Sequence, residues 1–186
     1  MPTAPEDFII LRRMLEEPLL GFLWRHALGI PSRSDRKDSQ VPGSSSIYGD
    51  VVMEHLLLRL QPEVEAALGI SLHPTYSYCR LYGHGDALAR HTDRPACEIS
   101  MTVNLGQDPP VPWPLWIEGR EGVQAVRLEP GDGLIYRGIE AAHWRDEYPG
   151  SRLAQVFLHY VDKDGPHAQW RYDKRPALNL PISLPI

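Results

Sequence analysis

Tyr82-Gly83-His84-Gly85-Asp86-Ala87-Leu88-Ala89-Arg90-His91-Thr92-Asp93 is a glycine-punctuated turn that delivers a His-x-Asp triplet. His143 follows fifty residues after Asp93, and Arg152 stands nine residues further on. On extended backbone, residues i and i+2 point to the same side, so His91 and Asp93 can reach one ion from a single strand end. His143 then has to arrive on a distant strand folded alongside, which a β-barrel provides. Two imidazoles and one carboxylate on one face of a metal leave the opposite face open, a geometry suited to non-haem Fe(II) that binds an organic acid and dioxygen together.

The flanking segments agree with a barrel. Glu129-Pro130-Gly131-Asp132-Gly133 is a strong turn signal, after which Leu134-Ile135-Tyr136 starts a strand toward His143. Arg152 opens the apolar run Arg152-Leu153-Ala154-Gln155-Val156-Phe157-Leu158-His159-Tyr160-Val161, and an arginine at the head of a buried-looking strand needs an anion. Its guanidinium offers a planar fork of donors that matches a carboxylate in two parallel hydrogen bonds. Tyr78, Arg80 and Tyr82 share one parity and therefore one strand face, which makes them candidates to line a cavity. Arg80 pointing inward would favour an acidic substrate or an acidic co-substrate; pointing outward, it is solvated. Asn104 and Thr102 alternate with Met101, Val103 and Leu105, so one face of that strand is polar, which inside a barrel signals a wet or functional interior. His159 has the opposite parity to Arg152 and is expected on the face away from the metal. Trp116 and Trp144 flank the motif strands as pocket wall or core aromatics.

From about Tyr76 to Val161 the chain resembles the 2-oxoglutarate and Fe(II)-dependent oxygenases, in particular their prolyl-4-hydroxylase-like branch. The resemblance rests on the ordered set: the Tyr82 to Asp93 block, the strand with Ser100, Thr102 and Asn104, the Pro-Gly-Asp turn at 130–132, the distal His143 and the basic Arg152. It implies His91, Asp93 and His143 as iron ligands and Arg152 as the anchor of the far carboxylate of 2-oxoglutarate. Family members often place a serine or threonine two positions after the arginine; here that position is Ala154, so the phenol of Tyr78 or Tyr82 is a candidate replacement. Tyr82 can equally pack against the glycine turn. The implied reaction consumes 2-oxoglutarate and dioxygen, releases succinate and carbon dioxide, and hydroxylates an amino acid, peptide or other small metabolite. Asp93 bears on that outcome, because it fills the position that a halide takes in the related halogenases. Two other classes use the same three ligands: a zinc hydrolase or isomerase, and a cupin-like metal-binding sensor.

The implied fold is α+β, mainly β, with a double-stranded β-helix, or jelly-roll, core of about 72–161. Helical support is expected over about 6–69, and a proline-rich tail over 163–186. Strands are expected at about 72–82, 97–105, 114–118, 123–128, 133–137 and 152–161. Asp7 to His26 reads as an amphipathic helix interrupted at Pro18, and Asp50 caps a second helix that ends before Gly69, with Pro62 permitting a break. Residues 31–46 read as a polar loop, a possible lid. With 186 residues and 42% hydrophobic content, the chain builds one core and a single domain, 1–186. A formal charge of −5 argues against bulk attraction to nucleic acid. The nucleic-acid demethylases of the superfamily carry a second arginine six positions after the anchor, where this chain has Leu158. Without a long apolar stretch or an export signal, the expected location is cytoplasmic, and Cys79 and Cys97 are expected as buried free thiols.

Overall fold

The computed structural model describes residues 7–29 and 40–181. In chain order the elements are β1 (Phe8–Leu11), α1 (Leu19–Leu28), β2 (Ser45–Tyr48), α2 (Val51–Leu68), β3 (Leu72–Gly83), β4 (Leu88–His91), β5 (Ile99–Asp108), β6 (Leu115–Gly119), β7 (Gly122–Val126), β8 (Gly133–Tyr136), β9 (His143–Arg145) and β10 (Arg152–Asp162). Short 3-10 turns occupy Pro95–Cys97 and Ala168–Lys174. A six-stranded sheet runs β1-β8-β5-β10-β3-β2 and a four-stranded sheet β4-β9-β6-β7, with every pairing antiparallel. This is the double-stranded β-helix expected from the sequence.

Alternation along the central strand β10 divides the molecule. Ala154, Val156, Leu158 and Tyr160 join the core cluster that holds Met53, Leu56, Leu57, Leu60 and Val64 of α2. The Tyr160 hydroxyl donates to the carbonyl of Leu57, fixing helix to sheet. On β5, Met101, Val103 and Leu105 face the same helical layer. The intervening positions of both strands turn toward the four-stranded sheet, and polar side chains collect there.

Local chemistry sets the helix ends. Asp50 accepts hydrogen bonds from the amides of Val52 and Met53, and Gly69, at φ +69°, closes α2 with its amide on Glu65. The helix continues through Pro62 without a break. The N-terminal segment departs from expectation: Phe8–Leu11 is an edge strand on β8, and only Leu19–Leu28 is helical. Phe-Ile-Ile-Leu is a β-favouring run, and pairing to an open sheet edge supplies hydrogen bonds that a short helix would have had to make itself. Residues 31–39 of the expected polar loop lie outside the described residues, and 45–46 belong to β2.

The Pro130-Gly131-Asp132 turn is structural. A Cβ at Gly131 would collide with the carbonyl of Leu15, and buried Asp132 receives the Arg13 amide, the Glu129 amide and the Arg12 guanidinium. Among the described residues no helix is long and apolar enough to cross a membrane.

Candidate metal centre and its cavity

β4 ends at His91 and pairs with β9, placing His91 directly opposite His143. The Nδ1 atom of each ring lies 2.9 Å from a carbonyl two residues earlier, Ala89 for His91 and Ala141 for His143. These bonds assign the proton to Nδ1 and leave a lone pair on each Nε2. Asp93 Oδ1 lies 3.5 Å from His91 Nε2 and 3.8 Å from His143 Nε2. One ligand atom from each residue falls within 4.8 Å of the others, so the three fit a single ion. The structure brings together the three residues that the sequence singled out.

Neighbours hold the carboxylate. Ser100 on β5 donates to Asp93 Oδ2 at 3.0 Å, which leaves Oδ1 for the imidazoles, and the Asp93 amide donates to the carbonyl of Gly138. A Cβ at Gly138 would run into Asp93 Oδ2 and stand 2.7 Å from Ser100 Oγ and from the carbonyl of Cys97, so glycine is what lets the carboxylate reach its place. Burial pushes the Asp93 carboxyl up, but the His91 hydrogen bond, the His159 and His143 rings and Ser100 outweigh it and hold the group at about 2. It is an ionised donor throughout the neutral range. Burial pulls the His143 ring down from its ordinary value, and a neutral imidazole is the form that ligates.

The three residues open onto a cavity of about 950 Å³ between the two sheets. Tyr78 and Arg80 line it as their strand parity implied, together with Tyr76, while Tyr82 is fully buried beside it and accepts a hydrogen bond from Arg80. Tyr136 of β8 adds its hydroxyl 3.4 Å from His143 Nε2.

Arg152 is not in this cavity. It is exposed at the head of β10, on the face of Ala154, Val156 and Leu158, whereas Phe157 and His159 line the cavity. The opposite parity of Arg152 and His159 holds, but the inward face is that of His159. Its Nδ1 is 3.0 Å from Ser100 Oγ, which completes a chain from β10 through β5 to Asp93. The signal was present: Gln155 and His159 make that face the polar one, as Ser100 and Thr102 do on β5.

Other candidates stand elsewhere. Asn104 secures the loop before β8, donating to the Leu128 carbonyl and accepting the Gly106 amide. Trp116 and Trp144 are cross-strand partners stacked at 6.4 Å on the face of the four-stranded sheet opposite His143 and Ile117, so neither walls the cavity. Arg175 and Asn179, from the tail that showed no periodicity, do line it. They are placed by buried Glu54, which pairs with Arg175 at 2.7 Å and accepts the Asn179 amide.

Solved structures of the same architecture cover most of the chain. The non-haem alpha ketoglutarate dependent epimerase SnoN from nogalamycin biosynthesis superposes with a TM-score of 0.69 at 12% identity, covering 85% of this chain and 77% of SnoN. The fold is that of the 2-oxoglutarate and Fe(II)-dependent oxygenases. Two further structures share this fold: a Pseudomonas putida prolyl-4-hydroxylase (TM-score 0.61, 16% identity, 82% of this chain and 91% of that one) and EctD from S. alaskensis (TM-score 0.67, 18% identity, 95% and 84%). No protein-family model matches the sequence, and no curated protein matches it.

The buried histidine makes the metal-free protein acid-sensitive. Burial holds His159 at about 4, against 6.5 for an exposed ring. Between those values the unfolded chain binds more protons, so stability is full above pH 6.5 and is lost as pH falls toward 4, by up to about 3 kcal/mol. Urea unfolding at pH 7 and pH 4.5 is expected to show this loss, and His159→Gln, which cannot titrate, should flatten it. An unchanged slope in that variant would assign the acid sensitivity to other groups.

Proposed function

We propose that this protein is an Fe(II)- and 2-oxoglutarate-dependent dioxygenase that hydroxylates an amino acid, peptide or other small metabolite and releases succinate and carbon dioxide. The observation that carries the reading is the convergence of His91 Nε2, Asp93 Oδ1 and His143 Nε2 at a cavity large enough for a co-substrate and a small prime substrate together. SnoN, of the same fold, has been solved with Fe3+ and alpha ketoglutarate. The donor set fits ferrous iron: two neutral nitrogens and one ionised oxygen on one side, with the cavity on the other.

Ferrous iron held there supplies the chemistry that couples oxidation of the keto acid to attack on the substrate. The chain's own residues orient and exclude. The Ala89 and Ala141 carbonyls hold both rings in the ligating tautomer, and Ser100 turns one oxygen of Asp93 inward. Tyr78, Tyr136 and Phe157 give the cavity aromatic walls that limit water around the reacting groups. A small or peptide substrate suits the −5 charge better than a nucleic acid does.

Zinc bound to the same ligands would support a hydrolase instead. Anaerobic protein given Fe(II) and 2-oxoglutarate is expected to develop a weak visible charge-transfer band. In air with ascorbate, it should release succinate with pooled amino acids and short peptides. Full activity with zinc, without the keto acid and without the band, would replace the dioxygenase by the hydrolase.

A further inference from the structure

We propose that Arg80 on β3, backed by Arg145 on β9, holds the distal carboxylate of the keto diacid, in place of a basic residue on β10. This assignment rests on the dioxygenase reading and names how its co-substrate is recognised.

Along β10 the side chains on the barrel side are Leu153, Gln155, Phe157 and His159, none an arginine or lysine, and Arg152 lies on the opposite face. Arg80 enters the same space from the neighbouring strand. It is cross-strand partner to Gln155 and only 3% exposed, and it lines the cavity. Its guanidinium carbon sits 5.2 Å from the Tyr78 ring centre, 5.5 Å from Tyr82 and 5.7 Å from Phe157, and one nitrogen donates to the Tyr82 hydroxyl at 3.1 Å. Aromatic faces on several sides fix a planar cation and lower the local dielectric, which strengthens its attraction for a carboxylate. It lines the same cavity as His91, Asp93 and His143, which puts a fixed positive charge in the space that a metal-chelating keto diacid would enter.

Arg145 supplies the second, independent observation. It is buried and lies 4.4 Å over the Trp113 ring, and its hydrogen bonds go to the Trp113 carbonyl at 2.7 Å and to Gln155 Oε1 at 2.9 Å. Among the described residues, no carboxylate pairs with it. A buried guanidinium held only by neutral acceptors is costly, and burial draws its proton affinity down to about 10. Arg145 does not itself line the cavity, so an anion held on Arg80 would reduce that cost from the far side of Gln155. Gln155 links the two arginines, bonded to Arg145 and paired in register with Arg80, and Gln155 is itself fixed by a bond to Thr102 at 2.6 Å. Arg80 is the contact; Arg145 is a positioning residue that adds positive field behind it.

The test compares two ligands on the full chain loaded with Mn(II): 2-oxoglutarate, and 2-oxovalerate, which keeps the chelating end but lacks the distal carboxylate. Calorimetry on each variant gives the affinity ratio, which isolates that carboxylate from any general effect on folding or metal loading. In the parent protein the ratio should favour the diacid by roughly 100-fold or more. Arg80→Gln should bring it close to one, Arg80→Lys should lower it less, and Arg145→Met should lower it about tenfold. Arg152→Gln should leave it unchanged. A ratio that persists in both Arg80 variants, or collapses in Arg152→Gln, overturns the assignment while leaving the dioxygenase reading intact. Failure of the parent protein to bind either keto acid would instead remove the dioxygenase reading itself.

Discussion

Asp93→Ala is expected to weaken Fe(II) or Mn(II) binding by at least about 100-fold and to abolish the charge-transfer band and succinate release. Asp93 is the anionic member of the cluster, its Oδ1 within 3.8 Å of both imidazole nitrogens, and it is the acceptor that orients Ser100. Removing it leaves two neutral donors, too few to hold a divalent ion against water. Asp93→Asn keeps the shape and the Ser100 bond but not the charge, and should lose metal nearly as completely, which separates electrostatics from packing. Anaerobic metal titration followed by elemental analysis reads both. Retention of a full equivalent of iron by Asp93→Ala, at parent affinity, would place the metal elsewhere.

Glu54→Ala should cost about 3–5 kcal/mol of folding stability, a large share of what a domain of this size possesses. The carboxylate is wholly buried on α2, where one oxygen pairs with Arg175 and the other receives the Asn179 amide. Truncation strands the Arg175 guanidinium and an amide together, and it frees the segment that carries two cavity-lining residues. Urea denaturation measures the first effect; a rise in KM larger than the fall in kcat would register the second. Glu54→Gln keeps the acceptors without the charge and should lose less. A loss below about 1 kcal/mol in Glu54→Ala would mean that the tail is held by other contacts.

A second anchor of the same tail lies at the cavity mouth. Asp173 takes both terminal nitrogens of Arg94, at 2.6 and 2.8 Å, and the Tyr48 hydroxyl at 2.7 Å. Arg94 follows Asp93 directly, so the tail is tied to the strand end that presents the candidate metal site. None of this was legible in the tail's composition. Prolines and a lack of periodicity signal the absence of a regular element, and say nothing about what an irregular segment will touch.

The sequence by itself determined the barrel, the candidate metal-ligating trio and the faces of β3 and β5. These depend on local rules: a period of two, turn chemistry at the glycines, and the need of His91 and Asp93 for one strand end. Tertiary structure alone decided which face of β10 looks inward, that Phe8–Leu11 would serve as an edge strand, and that Glu54 would draw residues 175 and 179 to the cavity. Alternation says that Arg152 and His159 oppose each other but not which one faces the cavity. That choice is made by burial against α2, where Val156, Leu158 and Tyr160 leave water with the helix leucines and carry Arg152 to the outer side with them.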